Sequence, residues 1–122
     1  MTKPILHLAS NDAWLAAIKN GSYRADSLST EGFIHCSKPS QIVAVANTFY
    51  HGQQGLVLLV IDPSKLVAEL KWELPAEPEP THAREGKLFP HIYGPLNLDA
   101  VLEVLIFEPD KDGYFTLPEV LT

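Results

Sequence analysis

The sequence lacks several features that would place it in a familiar class of protein. It has a single cysteine, Cys36, so no disulfide can form within the chain. Its nine lysines and arginines are scattered singly and the net charge is −6, so no basic stripe is present to bind a nucleic-acid backbone. The longest apolar run, at residues 56–61, is far too short to span a membrane. We therefore expect neither nucleic acid nor a membrane as a partner.

Common catalytic and nucleotide-binding motifs are also missing. The chain has no Walker loop, no G-x-G-x-x-G sequence and no G-x-S-x-G nucleophile elbow. These absences argue against P-loop nucleotide hydrolysis, dinucleotide binding of the Rossmann type and α/β-hydrolase chemistry. The first residues carry no long apolar stretch of the kind found in secretory signals, so we expect a cytoplasmic protein.

Length and composition predict one domain. With 122 residues, 46% of them hydrophobic, the chain can bury a core and is too short for two domains. We expect a single domain over 1–122, with its core at about 4–107 and a C-terminal hairpin or tail at 108–122.

The order of predicted elements is β-α-β-α-β followed mostly by strands, which indicates a small α+β domain with mixed or antiparallel split β-sheets and two main helices. Residues 23–31 are polar and are predicted to be irregular. Strict alternation at 70–74 predicts that Leu70, Trp72 and Leu74 point inward while Lys71 and Glu73 point outward. The Pro- and Glu-rich stretch 75–87 is predicted to be a loop that could act as a lid. Strands are predicted at 5–9, 33–36, 56–61, 70–74, 88–93, 100–107 and 114–117, and helices at 13–19 and from Pro39 to about 51. Ser37 is predicted to cap the second helix, whose buried stripe is predicted to comprise Ile42, Val45, Ala46 and Phe49.

Two predicted strands carry a histidine between aromatic or polar neighbours. Alternation places Phe33, His35 and Ser37 on one face of the first, and His91 and Tyr93 on one face of the second. If the strands lie in one sheet, His35 and His91 share a face and can share a ligand.

A third histidine, His7, lies on the first predicted strand, and Glu73 is a strand carboxylate that could face the same cleft. The plainer interpretations are hydrogen-bonded core histidines and a solvated glutamate. The three strand histidines with Glu73 could also bind a metal ion, but no local ligand spacing supports that, and we expect no metal. Cys36 is adjacent to His35, yet neighbours in a strand point opposite ways, which argues against a Cys-His nucleophile.

Four segments are similar to one small bacterial family. They are Gly32-Phe33-Ile34-His35-Cys36-Ser37, the stretch from Gly52-Gln53 to Leu59, the pair Trp72-Glu73, and the segment from Phe89 to Leu96. Together they resemble the family called domain of unknown function 952, over about residues 4–107. That resemblance implies an ADP-ribosylation-like fold, the fold of the ADP-ribosyltransferases, whose split sheets clamp NAD.

The resemblance also implies roles for particular residues. ADP-ribosyltransferases often place a histidine on the first strand to hold a ribose hydroxyl, and His7 lies on that strand. They place an aromatic residue or serine on the second core strand against nicotinamide, where Phe33, His35 and Ser37 stand. A later-strand glutamate often stabilises the oxocarbenium-like state, and Glu73 is the nearest candidate, with His91 as the other occupant of that place. The usual serine-threonine-serine strand motif is missing.

The sequence thus predicts a cleft that binds an NAD-like nucleotide, with NAD as a candidate substrate and a protein as a candidate acceptor. If the protein is an enzyme, it is an ADP-ribosyltransferase-like transferase or a hydrolase acting at a glycosidic centre. The alternative is a non-catalytic ligand-binding or protein-interaction module, and a metal-dependent enzyme is third. The predicted catalytic residues are His35, Glu73 and His91, and the predicted ligand-binding residues are His7, Phe33, Ser37, Arg84 and Tyr93, with Arg84 as the phosphate clamp.

Overall fold

In the computed structural model, which describes residues 3–74 and 88–121, the apolar run Leu56–Ile61 forms the central strand of a three-stranded sheet. Every residue of this strand is buried, as expected for a strand covered on both faces. The first strand pairs with it on one side and the last strand on the other, both antiparallel.

The chain forms eight strands and three α-helices over the described residues, so the prediction of a small α+β domain is confirmed. In order they are β1 (Ile5–Ser10), α1 (Asn11–Asn20), β2 (Ser22–Tyr23), α2 (Asp26–Thr30), β3 (Ile34–His35), α3 (Pro39–Phe49), β4 (Leu56–Ile61), β5 (Glu69–Glu73), β6 (Phe89–Tyr93), β7 (Leu96–Asn97) and β8 (Val101–Phe107). Short 3₁₀ turns lie at Pro63–Lys65, Leu98–Ala100 and Glu119–Leu121.

All strand pairs between these elements are antiparallel, in three sheets. The strand orders are β1-β4-β8, β3-β6-β5 and the small pair β2-β7. The two larger sheets meet at one bridge, where the backbones of Leu6 and Ser37 exchange two hydrogen bonds of 2.8 Å. His7 and His35 flank this bridge in sequence, so the join between the sheets brings the first two predicted site strands together.

Local sequence signals explain the two longer helices. The Ser10 side chain accepts a hydrogen bond from the backbone N–H of Ala13 at the start of α1, and Gly21 ends the helix with a φ of 87°. Helix α3 begins with Pro39, and the Gln41 side chain accepts the backbone N–H of Lys38. These helices cover different sides of the β1-β4-β8 sheet, since Ala17 packs in one core cluster and Ile42 in the other.

Four details of the sequence prediction are wrong. Residues 23–31 are not wholly irregular, because they contain the end of β2 and the short helix α2. Trp72 is 44% exposed and Leu74 is 66% exposed, because β5 is the edge strand of its sheet and alternation alone does not say which face is covered. No strand forms at 114–117, where a turn leads into irregular chain instead of a hairpin. The capping residue of α3 is Lys38 and not Ser37.

The C-terminal segment packs back on the domain. Phe115 is 1% exposed and stacks on Phe107 with ring centroids 4.7 Å apart. The Asn47 side chain of α3 accepts the backbone N–H of Phe115 at 2.7 Å and donates to its carbonyl oxygen at 3.2 Å. The tail therefore completes the core layer that also contains Leu6, Ile42 and Leu58.

Candidate functional site

A cleft of about 540 Å³ opens beside the bridge that joins the two larger sheets. Its lining includes four of the predicted site residues, namely His7, His35, Ser37 and His91. This volume lies within the range typical of small-molecule sites, roughly 300–1,000 Å³. The structure thus brings the three strand histidines to one concavity.

His35 and His91 lie directly opposite each other in the β3–β6 pairing, and their ring centroids are 5.5 Å apart. They share a face of the sheet, as the alternation predicts. The Nε2–H group of His35 donates to a Glu31 carboxylate oxygen at 3.0 Å in a half-exposed setting. His91 is 2% exposed and is the more deeply buried of the two.

Phe33 and Glu73 contact His91, Tyr93 contacts both of them, and none of the three lines the cleft. The Phe33 ring stacks on the His91 ring at 4.2 Å with an interplanar angle of 24°. Glu73 accepts two hydrogen bonds at the same oxygen, from Nδ1–H of His91 at 2.9 Å and from the Tyr93 hydroxyl at 2.6 Å. These donors hold the pKa of Glu73 below its usual value, the Tyr93 hydroxyl contributing most, while the same bond raises the pKa of Tyr93.

His7 uses both of its ring nitrogens internally. Nδ1–H donates to the backbone carbonyl oxygen of His35, and Nε2 accepts the Tyr23 hydroxyl at 2.8 Å. Burial lowers the pKa of His7 from its ordinary 6.5 to about 4, so the ring is neutral at physiological pH. Its donor and acceptor are therefore committed to holding Tyr23 and β3 against β1.

Cys36 is buried, and burial raises the pKa of its thiol well above the usual range. A thiol held protonated is a poor nucleophile, which agrees with its assignment as a core residue.

Sequence reasoning missed several residues of the cleft. Tyr23 and Arg24 follow the end of α1 in a segment predicted to be irregular, and both line the cleft. Glu31, the partner of His35, also lines it, and the spacing of four residues between the two was the available signal. Val45 and Phe49, predicted to be part of one buried helix stripe, face the cleft as well, and Phe49 is 45% exposed.

Two parts of the prediction lie outside the described residues. They are Arg84 as a phosphate clamp and the 75–87 loop as a lid, and both stay predictions. Within residues 3–74 and 88–121, no group of three or more His, Cys, Asp or Glu side chains is arranged to hold a metal ion. In the same part of the chain, no helix is long and apolar enough to cross a membrane.

The family model described as "Protein of unknown function (DUF952)" matches residues 8–104. The chain belongs to this family. The chain is also similar to the crystal structure of protein CC0527 from Caulobacter crescentus, with 32% identity, 98% coverage of both chains and a TM-score of 0.83. A solution NMR structure of CC0527 matches at 32% identity, 98% and 97% coverage and a TM-score of 0.78. No curated protein matches the chain. These likenesses establish membership of DUF952 and the α+β architecture of the domain.

Proposed function

We propose that the cleft of this DUF952 protein binds a nucleotide-like small molecule, with NAD as the first candidate. The observation that carries the proposal is the convergence of His7, His35, Ser37 and His91 on one concavity of ligand size. Two polar side-chain atoms there are buried without a hydrogen-bond partner in the described residues, the Ser37 hydroxyl and Nε2 of His91. Buried polar groups are almost always paired, so such atoms mark a place where a ligand or water binds.

The chemistry of the lining supports a nucleotide more than a purely apolar ligand. Arg24 lies exposed at the cleft and makes no ion pair within the described part of the chain, so its guanidinium can bind a pyrophosphate through two oxygens. Asp26 and Glu31 offer carboxylate acceptors for sugar hydroxyls. Val45, Phe49 and Tyr50 provide an apolar and aromatic wall suited to a base.

The proposal includes an ADP-ribosyltransferase-like fold and a reaction in which NAD is the substrate. Two antiparallel sheets joined at a single bridge with a cleft beside it support that fold. In the reaction, an N-glycosidic bond of NAD breaks and the ADP-ribosyl group passes to water or to a protein hydroxyl. His7 would position Tyr23 and the second strand, since both of its ring nitrogens are already bonded.

The test is a titration of the uniformly ¹⁵N-labelled protein with NAD, followed by amide shifts and by an assay of released nicotinamide. We expect saturable shifts at Tyr23, His35, Ser37 and His91, and none at Glu103 on the far strand β8. Binding without nicotinamide release would support the non-catalytic module over the enzyme. Shifts that scatter over the surface or do not saturate would refute a nucleotide site in this cleft.

Two variants, measured in the same NAD titration, test whether the ligand lies in the cleft. Ser37→Ala removes a buried hydroxyl that lines the cleft, and Glu103→Gln changes an exposed charge on β8. NAD affinity should fall in the first variant and stay unchanged in the second. Equal affinities in both variants and the unmodified chain would place the ligand elsewhere.

A further inference from the structure

The ring of His91 is fixed in one orientation by Glu73 at one nitrogen and by Phe33 on one face. Its side chain is 3% exposed, with Nδ1 at 2.9 Å from Oε1 of Glu73. Phe33 stacks on one face of the ring at 4.2 Å. The hydroxyl of Tyr93 donates to the same Oε1 at 2.6 Å and so fixes the carboxylate in turn. An imidazole held in this way cannot turn to exchange its two nitrogens without breaking the contact with Glu73.

The proton position follows from the hydrogen bond. A carboxylate only accepts, and the pKa of Glu73 is lowered by the Tyr93 hydroxyl and by His91, so Glu73 is ionised. Nδ1 of His91 therefore carries the proton, and in the neutral imidazole Nε2 is left with a free lone pair. Lys71, directly opposite His91 in the β5–β6 pairing, holds its ammonium 4.6 Å from the centre of the Tyr93 ring and adds positive charge on this side.

Nε2 is the remaining polar atom of His91, and the residue lines the cleft. It has no hydrogen-bond partner among residues 3–74 and 88–121, although its ring is buried. Glu73 does not line the cleft, and it accepts the hydrogen bond from Nδ1. The lone pair of Nε2 is therefore the part of the His91 ring that a molecule bound in the cleft can contact.

We infer that Nε2 of His91 is the general base that activates a hydroxyl or water nucleophile in the cleft, and that Glu73 and Tyr93 are positioning residues for it. This inference rests on the proposed function. It assigns Glu73 a different role from the one implied by the family resemblance, because the carboxylate would orient the imidazole and stabilise the imidazolium, as in other carboxylate–histidine pairs.

The step balances for NAD and water. The water proton passes to Nε2 of His91 while the water oxygen forms a bond to the anomeric carbon of the ribose. The bond between that carbon and the pyridinium nitrogen breaks, and its electron pair leaves with neutral nicotinamide. His91 then releases its added proton to solvent, so that NAD and water give ADP-ribose, nicotinamide and a proton.

His35 is the other imidazole in the cleft, and its geometry suits this role less well. Its Nε2–H bond to Glu31 joins two residues that are each about a third exposed, at 36% and 30%. Glu31 lies just beyond the short helix α2, whereas Glu73 is held on a strand. Glu73, at 37%, is about as exposed as Glu31, but the His91 imidazole, at 3%, is far better desolvated than that of His35, and this makes His91 the stronger candidate for the base.

The first test reads the tautomer directly and needs no activity. In a ¹⁵N imidazole spectrum at pH 8, with His91 assigned by its loss in His91→Gln, we expect the proton on Nδ1 and a free Nε2. Glu73→Gln should move the proton toward Nε2, because an amide can donate to Nδ1. Adding NAD should shift Nε2 of the unmodified chain. A proton on Nε2 in the unmodified chain would overturn the inference and leave the binding site itself standing.

The second test is kinetic and uses nicotinamide release. Glu73→Gln should lower kcat by roughly 10²-fold with KM within about twofold, and Glu73→Asp should recover part of the loss. The double variant Glu73→Gln with His91→Gln should be no slower than His91→Gln alone, since the carboxylate acts through the imidazole. Glu69→Gln, on the same strand and exposed, is the matched control and should leave kcat unchanged.

Failure of the His91–Glu73 dyad and failure of the proposed function would give different experimental results. Additive losses in the double variant, with NAD turnover intact in the unmodified chain, would refute the dyad alone and favour His35 as the base. No binding of NAD and no nicotinamide release by the unmodified chain would refute the proposed function and the base together.

Discussion

The Tyr23 hydroxyl donates a hydrogen bond to Nε2 of His7 over 2.8 Å, and the two rings lie 5.1 Å apart. His7 is 7% exposed and Tyr23 is 4% exposed. The pair ties the short strand β2 to β1, while the other ring nitrogen of His7 ties β1 to β3. One neutral imidazole thus joins three strands at the floor of the cleft, and both its charge and its partner can be tested.

Acid should unfold the protein partly through His7. Its pKa is about 4 in the folded chain against 6.5 ordinarily, so the unfolded chain binds this proton more tightly. The stability that depends on neutral His7 is complete above pH 6.5 and is lost as the pH falls from 6.5 to 4, by about 3 kcal/mol in total. Urea denaturation between pH 4 and 8 should show a shallower loss in His7→Gln than in the unmodified chain. His51→Gln, at an exposed histidine, is the control, and identical slopes in all three chains would contradict the assignment.

Loss of the Tyr23 hydroxyl should destabilise the fold. Tyr23→Phe leaves Nε2 of His7 buried without its donor, which costs roughly 1–3 kcal/mol. Tyr50 also lines the cleft and its pKa is likewise raised by burial, but its hydroxyl bonds to no described residue. Tyr50→Phe should therefore change the free energy of unfolding by less than about 0.5 kcal/mol. Equal losses in the two variants would show that the hydroxyl on His7 contributes nothing specific.

Arg24 should distinguish charged from neutral ligands. Removing its guanidinium by Arg24→Gln should weaken NAD binding roughly tenfold, as for one charge-assisted hydrogen bond. Binding of the uncharged nucleoside adenosine should change by less than about twofold by the same reasoning. Lys19→Gln removes one positive charge near the end of α1, away from the cleft lining, and serves as the control for net charge. A parallel loss for NAD and adenosine would show that Arg24 does not contact phosphate.

Gly113 should be the less replaceable of two glycines with positive φ. Its φ is 92°, and a Cβ there would lie 2.9 Å from the His51 ring and 3.2 Å from the Cα of Gly52. Gly55 has a φ of 78° with open space around it. Gly55→Ala should cost about 1–2 kcal/mol from backbone strain alone, and Gly113→Ala should cost up to about 1 kcal/mol more, because the exposed His51 ring can turn away while the backbone of Gly52 must shift. The comparison is made by urea denaturation, and a smaller loss at Gly113 would contradict the packing described for the C-terminal turn.

Periodicity predicted the parts of the fold in which burial repeats regularly. The continuous apolar run of β4 and the alternation around His35 and His91 specified a central strand and a shared face, and the structure has both. Trp72 was placed wrongly because an edge strand alternates in the same way whether its apolar face is covered or open.

The site was less predictable, because its contacts join residues far apart in sequence. No local sequence pattern pairs Tyr23 with His7 or Glu73 with His91. These hydrogen bonds form only when the strands are paired in the register that the structure has. The assignment of His7 to a ligand stays a prediction, and the internal hydrogen bonds of both its ring nitrogens were not predictable, since sequence gives a residue's position on a strand and not the partners of its ring. The membership of the family could be recognised from the motifs, while the roles of their residues depend on hydrogen bonds.

The C-terminal tail lies beyond the end of the family match and still packs into the core of the domain. The match to the family model ends at residue 104. Beyond it, Phe115 stacks on Phe107, and the Asn47 side chain on α3 hydrogen-bonds to the backbone of Phe115. Removing the tail would leave a cavity against Phe107 and the Asn47 amide without its partner. The part of the chain that the family model matches is therefore shorter than the part that packs as one core, and the likeness to CC0527, which covers 98% of this chain, extends past the end of that match.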